Sequence, residues 1–429
     1  MTHTDYTRNI LNIKDENIYF YENCLSEIKI KNKIVKCFHG ILSYTPKVCP
    51  VCGCIYESNP ETIIKYGFKK NCKVKLPNIS NFNTILFLDK QRFLCKHCKS
   101  TFIATTDLVD FHKQISNNTK TSVVLDLMDK VSEKYISKKN NISSSSTNRI
   151  LDLIAKDKFI KNNGKLPNVL GIDEFNATKD TISKMAFIIV NQNDSNIFDI
   201  NNSRLSIDIE KYFKRYSKQE RNKVKFITLD LYKPYYKLMH SLFKNALLIP
   251  DRFHIVLQAR NALDKTRLKL CYKSNPNYTK LKKYWKLILK DKRELVKDKR
   301  RYQKCFRKEM TQEDIVTYLI NTNNELYETY QIYQSILYSI NTRNKDIFLS
   351  IINGKNNSVS KHMKKAIKTF KNMEKYIVNS FEYEYSNGIV EGINNVIKQV
   401  KHTACGYRKF THLKARIMLI KGLLNPINA

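Results

Sequence analysis

The sequence predicts a multidomain α/β protein, and three observations carry that expectation. Two Cys-x-x-Cys knuckles stand within the first hundred residues. From Val169 onward, short apolar runs follow one another and then alternate with helical stretches. From about residue 263 to 379 the strand signals vanish and helical periodicity takes over. At 429 residues the chain exceeds one ordinary core, so two to four domains are expected.

Charge narrows the partners. Lys and Arg number 76 against 39 acids, a formal net charge of +37 spread along the whole chain. Such a balance costs self-repulsion, which a polyanion relieves. Nucleic acid is the leading partner, because neutralising phosphates releases counterions. An anionic membrane surface is the weaker alternative, since no basic amphipathic helix is set apart for it. Drift in a Lys/Asn/Ile-rich chain explains part of the excess. No apolar run approaches the ~18 residues of a membrane span, and the N-terminus lacks the basic-then-apolar plan of a secretory signal. The expectation is therefore a soluble, cytoplasmic protein. Of eleven cysteines, six (Cys49, Cys52, Cys54, Cys72, Cys95 and Cys98) fall within 50 residues. In an intracellular chain such clustering points to metal rather than disulfides.

The elements follow in order. Residues 1–45 read as a lead segment. Residues 46–105 read as a zinc ribbon, with Cys49, Cys52, Cys95 and Cys98 offering four thiolates to a structural Zn²⁺. The gap between knuckles is long, and Cys54, Cys72 and His97 stand as substitute ligands. Gln91-Arg-Phe-Leu and Thr101-Phe-Ile flank the second knuckle as short strands. Residues 115–160 read as helical: one helix over 121–135 with Val124, Leu127, Met128 and Val131 on a face, a polar turn at 138–143, and a second helix opening on serines that suit an N-cap. This is a helix-turn-helix pattern over 106–165, with Ser144, Ser145, Asn148 and Arg149 placed to reach DNA. A plain helical hairpin reads the same way.

Beyond the linker at Gly164–Pro167, strands are expected at Val169–Asp173, Met185–Val190 and Ile197–Ile200. A basic helix at Ile207–Tyr216, a strand at Lys225–Leu229, a helix at Pro234–Phe243 and a strand at Ala246–Pro250 follow. Three strands and then strand–helix alternation is the order of a ribonuclease-H-like sheet. The helical stretch that follows holds the single Trp285 and a strongly basic span, Lys280 to Lys308. It reads either as a solvated face or as a track for a DNA backbone with aromatics available to stack on bases.

Three acids occupy positions where chemistry uses them. Asp173 and Asp230 close apolar strands, and Glu391 lies on a helix whose face also carries Asn387, Asn395 and Lys398, amides and a cation suited to DNA. Strand alternation sends Asp173 and Glu174 to opposite faces, and Asp173 continues the inward set. Each acid has a plainer reading: a strand-end acid, a helix cap, a surface Glu. Carboxylates on separate elements are what two Mg²⁺ ions need for phosphodiester chemistry.

Gly171-Ile-Asp173-Glu-Phe, Asp230-Leu-Tyr-Lys-Pro-Tyr, Asp251-Arg-Phe-His254-Ile-Val, Ser386-Asn-Gly-Ile-Val-Glu391-Gly-Ile-Asn-Asn and the tail Gly406-Tyr-Arg-Lys-Phe410 together resemble the DDE transposases of bacterial insertion sequences, ISL-three family. Lys401-His402 and Cys405 depart from the family pattern without touching the acids. The resemblance implies a catalytic triad of Asp173, Asp230 and Glu391 holding Mg²⁺ (or Mn²⁺). It also implies a ribonuclease-H-like catalytic core over 166–262 and 380–429, with an all-α insertion at 263–379 between its parts. Two steps are implied, strand cleavage at the terminal inverted repeats and transfer of the freed 3′ hydroxyl to target DNA. The partners would be double-stranded DNA and a second copy of the chain, as a homodimer or larger assembly. Asp251 and His254 are auxiliary candidates, either as a fourth acid and an imidazole or as a structural lock. A non-cutting, domesticated DNA-binding regulator and a ribonuclease-H-like nuclease are the rival readings.

Overall fold

The computed structural model describes residues 2–30, 32–157 and 164–424. The tail of the stretch read as helical, 158–160, and the adjoining 161–163 lie outside the described residues. The chain divides into two compact units, Met1–Ile160 with Val396–Ala429, and Lys161–Asn395.

In the first unit α1 (His3–Ile10) starts at a capping box in which Thr2 and Asp5 satisfy each other's backbone N–H groups. A five-stranded sheet follows, built from β1 (Ile18–Ile30), β2 (Lys33–Leu42), β3 (Ile63–Ile79), β4 (Phe82–Cys95) and β5 (Thr101–Ile103). Its order is β1-β2-β4-β3, with β5 on β4; β2 and β4 run parallel and the other pairs antiparallel. Alternate residues such as Val74 and Leu76 on β3 and Leu86 and Leu88 on β4 enter a core shared with Ile18, Phe20 and Phe93. Residues 1–45, read as a lead segment, supply β1 and β2 to the sheet that also holds β3, β4 and β5.

Helices α2 (Asn117–Met128), α3 (Glu133–Lys139) and α4 (Ser144–Asp157) complete this part. The single helix expected over 121–135 is two. Asp129 is extended (φ −84°, ψ 154°), and Ser132 starts α3 by accepting from Tyr135 N at 3.1 Å.

The second unit is built on a five-stranded sheet of order β10-β9-β6-β7-β8. β6 (Val169–Asn176), β7 (Met185–Asn191) and β8 (Asn196–Asn201) form an antiparallel meander. After α5 (Ser206–Lys214) and α6 (Lys218–Asn222), β9 (Phe226–Leu229) returns beside β6 and runs parallel to it. α7 (Lys233–Leu242) then leads to β10 (Leu247–Pro250), parallel to β9. Ala186 to Val190 are all buried, as expected of a strand covered on both faces. α8 (Arg252–Lys269) begins at Asp251, whose carboxylate accepts from Phe253 N at 3.2 Å.

The helical stretch comprises α9 (Tyr278–Lys283), α10 (Trp285–Ile288), α11 (Gln312–Ile320), α12 (Asn324–Asn341), α13 (Lys345–Asn353), α14 (Lys361–Asn372) and α15 (Glu374–Glu382). It is not all helix. β11 (Arg301–Gln303) and β12 (Lys308–Met310) pair antiparallel around a turn in which Arg307 takes φ +52°. The expected basic helical face over 280–308 is therefore two short helices, a 3₁₀ turn and a hairpin. Its lysines cover its own rings: Lys280 lies 5.0 Å from Phe306 and 4.7 Å from Tyr318, and Lys286 lies 5.7 Å from Trp285. α12 and α14 pack on α8, and α15 packs on β10, so one hydrophobic core joins sheet and helices.

α16 (Gly388–Thr403) crosses the boundary between the units, and α17 (Phe410–Ile420) belongs to the first. There α17 packs on α2 and α4. Arg416, 1% exposed, donates to the carbonyls of Asp129 and Val131 at 2.7 and 2.6 Å, closing the corner between α2 and α3. Among the described residues no helix is long and apolar enough to cross a membrane.

Candidate functional site

Strand register sets the acids of the second unit in a row. Gly171 pairs with Thr228 across β6 and β9, and Leu229 pairs with Pro250 across β9 and β10. Continued beyond the last paired residues, these registers put Asp173, Asp230 and Asp251 level with one another on neighbouring strands. Asp251 N donates to the carbonyl of Leu229 at 2.9 Å, which holds that level.

Burial and mutual repulsion keep these carboxyls far from their ordinary state. Asp173 is pushed up to about 7, by burial and then by the charge of Asp230. Asp230 is pushed up to about 6, by burial and then by Asp251. Asp251 is also raised, chiefly by burial. A cluster of acids that resists ionising in the absence of a cation is what a divalent ion would stabilise. His254, one turn into α8, sets Nε2 3.1 Å from Asp230 Oδ1. The ligand atoms of Asp230, Asp251 and His254 lie within 4.8 Å of one another. Hard carboxylate oxygens suit Mg²⁺ or Mn²⁺, so the donor set fits the expected ion.

A buried amide chain ties the start of α16 to this row. Asn387, 3% exposed, donates to the carbonyl of Ile172 at 3.1 Å and lies 3.5 Å from Asp230 Oδ1. Thr228 donates to its Oδ1 at 2.6 Å, and Gln192 donates to both Thr228 and the carbonyl of Ser386. Asn394 donates to Asp173 Oδ2 at 2.7 Å. Gly171 permits the approach: a Cβ there would lie 2.7 Å from Val390 Cγ2 and 2.8 Å from Gln192 Nε2. Tyr383 and Tyr385, which lead into the helix, both pack on Phe226 at 4.9 Å.

The sequence-predicted residues are distributed as follows. Asp173 and Asp230 meet, and Glu174 turns away to Arg204 (2.8 Å) and Tyr235, as strand alternation requires. Glu391 is exposed on the first turn of α16, with its charge felt at Asp251. Asn387, read as a DNA contact, is instead enclosed in the protein and spends its amide on β6 and β9. Asn395 and Lys398 are exposed. Gln192, Thr228 and Asn394 escaped the sequence reading. Only Asn394 carried a signal there, three residues after Glu391 on one helical face.

In the first unit Cys49 and Cys98 bring their sulfurs to 3.8 Å, as do Cys52 and Cys95, and all four lie within 4.8 Å of one another. Tetrahedral Zn²⁺ with bonds of about 2.3 Å requires sulfurs about 3.8 Å apart. Hydrogen bonds from Ser100 lower Cys98 to about 6, and backbone N–H groups of Cys98 and His97 lower Cys95. The cluster is thus compatible with structural zinc. Cys54 and Cys72 stand outside it. On α4, Ser144, Ser145 and Arg149 are exposed, whereas the carboxamide oxygen of Asn148 is enclosed. Arg149 lines a groove of about 810 Å³ with Lys75, His112, Lys113 and Lys156.

Comparison with known proteins adds two findings. The profile of a family described as "Transposase", of the ISL-three DDE type, matches residues 170–417, more than half of the chain. A protein of Lactococcus lactis subsp. lactis named "ATP-dependent protease" is 34% identical over 113 residues, 26% of this chain and 36% of that one. The chain thus spans little more than a third of the length of that relative.

Proposed function

The chain belongs to the ISL-three family of DDE transposases, and from that premise we propose that it cuts and joins DNA at a triad of Asp173, Asp230 and Glu391. The observation that carries this reading is the level row of Asp173 and Asp230 on adjacent parallel strands, with the Glu391 helix pinned to both strands through Asn387 and Asn394. A meander of three strands followed by two parallel ones supports the ribonuclease-H-like reading of the core. The helices from 117 to 157 support a helix-turn-helix, and the four-Cys cluster supports a zinc ribbon, as modules that recognise terminal inverted repeats.

Asp173, Asp230 and Glu391 would hold Mg²⁺, which when bound supplies Lewis-acid stabilisation of the attacking and leaving oxygens. Asn394 orients Asp173, and Asn387 fixes the height of the helix against Ile172. His254, with Nε2 3.1 Å from Asp230 Oδ1, is placed to orient that carboxylate. The compact Asp230–Asp251–His254 group favours a second reading, in which Asp251 rather than Glu391 completes the acid set. The stretch shared with the partial relative is 26% of this chain, too little to bring that protein's protease activity to it.

The test is Mg²⁺-dependent nicking of a duplex that carries an inverted repeat sought in the DNA on either side of the gene. Asp173→Asn, Asp230→Asn and Glu391→Gln are each expected to lower the rate by at least about a hundredfold, and Asp251→Asn by much less. Full activity in Glu391→Gln with loss in Asp251→Asn would transfer the third role to Asp251.

A further inference from the structure

A groove of about 400 Å³ opens beside the carboxylates, between α8 and α14. His254 stands at its inner end, 3.1 Å from Asp230. From there Gln258, Asn261 and Lys265 continue along the same side of α8, at spacings of four, three and four residues, over about 16 Å. His362 and Lys365 face them from α14. Among the described residues no acid lines the groove.

α14 explains why its wall is cationic. Met363, Ala366, Ile367 and Phe370 are buried, which turns Lys361, Lys364, Lys365, Lys368 and Lys371 outward. None of the five makes an ion pair among the described residues. The side chains of Gln258, Asn261 and Lys265 likewise make no hydrogen bond or ion pair among the described residues. A lysine-rich outer face is the ordinary fate of an amphipathic helix. Here, however, unpaired side-chain amides of a second helix run opposite it, and that second helix begins at Asp251 and His254 beside the acids. Their cations stand close enough to lower His362 after burial does, through Lys269 and Lys265. A chain of phosphates would relieve that crowding.

We propose that this groove carries the phosphodiester backbone of the DNA strand leading away from the reactive phosphate. Lys265 and Lys365 would meet phosphates, and Gln258 and Asn261 would donate to backbone oxygens. The inference rests on the transposase reading and deepens it. Moreover, it moves the strand track from the basic span 280–308, where lysines cover their own aromatic rings, to α8 and α14. The length of the stripe matches the axial rise of up to about five nucleotides of one strand.

Two measurements on the full chain test it. In the first, a photo-crosslinking benzoylphenylalanine replaces Gln258 or Lys365, and the protein is irradiated on the end-labelled duplex that the wild-type chain nicks. Adducts are expected within about five nucleotides of the nick. In the second, the affinity of Lys265→Gln/Lys365→Gln for that duplex is followed by anisotropy against KCl. Each lost phosphate contact removes about 0.9 from the slope of log affinity on log salt, so a fall of about 1.8 is expected, and Lys→Arg at both positions should keep the slope. A wild-type chain that nicks normally while its adducts lie far from the nick and the slope stays unchanged overturns the track alone. A wild-type chain that never nicks overturns the transposase reading beneath it.

Discussion

Replacing Gly171 with alanine tests whether close approach of α16 to β6 assembles the site. The added Cβ would stand 2.7 Å from Val390 Cγ2 and 2.8 Å from Gln192 Nε2. Carbon atoms settle about 3.5–4.0 Å apart, so the methyl intrudes by roughly 1 Å on Val390. Neither side yields freely. β6 is paired on both edges at Gly171, with Val190 and Thr228, and Gln192 is committed to Thr228 and Ser386. Overpacking of this kind costs about 1–3 kcal/mol, and displacing Gln192 adds about 1 kcal/mol for a buried amide left short of a partner. The narrower unfolded ensemble of alanine offsets up to about 1 kcal/mol. A net loss of about 1–3 kcal/mol should lower the melting temperature by roughly 2–12 °C, read by calorimetry as the transition of the unit that holds the sheet. Val390→Ala makes room for the methyl at its own cost of about 1–3 kcal/mol. The double variant should therefore be more stable than the sum of the single losses by at least about 1 kcal/mol. Gly171→Ala with unchanged melting, and additive effects with Val390→Ala, would refute the close-approach argument.

Three further outcomes are expected. Thr228→Val cuts the buried chain Gln192–Thr228–Asn387, leaving Asn387 Oδ1 without its donor and Gln192 with Ser386 alone, so stability should fall by about 1–3 kcal/mol in denaturant titration; an unchanged stability would mean the amides find other partners. Asp173 and Asp230 have folded-state values of about 7 and 6, above the unfolded carboxyl range. Their contribution to metal-free stability is full below pH 4 and declines as pH rises from 4 through 7. The melting temperature of the metal-free wild type should thus fall relative to Asp173→Asn between about pH 4 and 7, with added Mg²⁺ reversing the trend; a rise would contradict the burial argument. Stripping zinc with a chelator, or Cys95→Ser, should release about one equivalent of metal per chain and open the sheet around β4 and β5 to limited proteolysis. Unchanged metal content in Cys95→Ser would redirect attention to Cys54 or Cys72.

Local chemistry made much of the fold legible. β6, β7, β9 and β10 are apolar runs with abrupt polar ends, and each falls within a few residues of its expected place. The four knuckle cysteines converge because metal-ligand spacing is written in the chain itself. Legibility failed where the deciding partner is distant in sequence. β1 carries exposed Tyr19, Tyr21 and Leu25, so its alternation is blurred, and only pairing with β2 identifies it as part of the first unit's sheet. The hairpin of β11 and β12 is three residues a side and too short to print a period. The break between α2 and α3 depends on Ser132 capping a helix that an unbroken apolar face had already claimed.

The site shows the same division more sharply. That Asp173 and Asp230 close strands is a local property, but that Asp251 stands level with them follows only from the registers of β6, β9 and β10, which no single segment contains. Asn394 and Asn395 differ in fate for a related reason. Both lie on the flank of Glu391, and a helix of 3.6 residues per turn places one toward β6 and the other toward solvent. Which is which depends on how α16 is rolled about its axis. Asn387 and Gly171 set that roll: one hydrogen-bonds Ile172 and Thr228, and the other admits Val390. Glu391 therefore owes its orientation to an amide chain and an absent side chain. A substitution at Gly171 or Thr228 should disable chemistry while leaving every acid in the sequence intact.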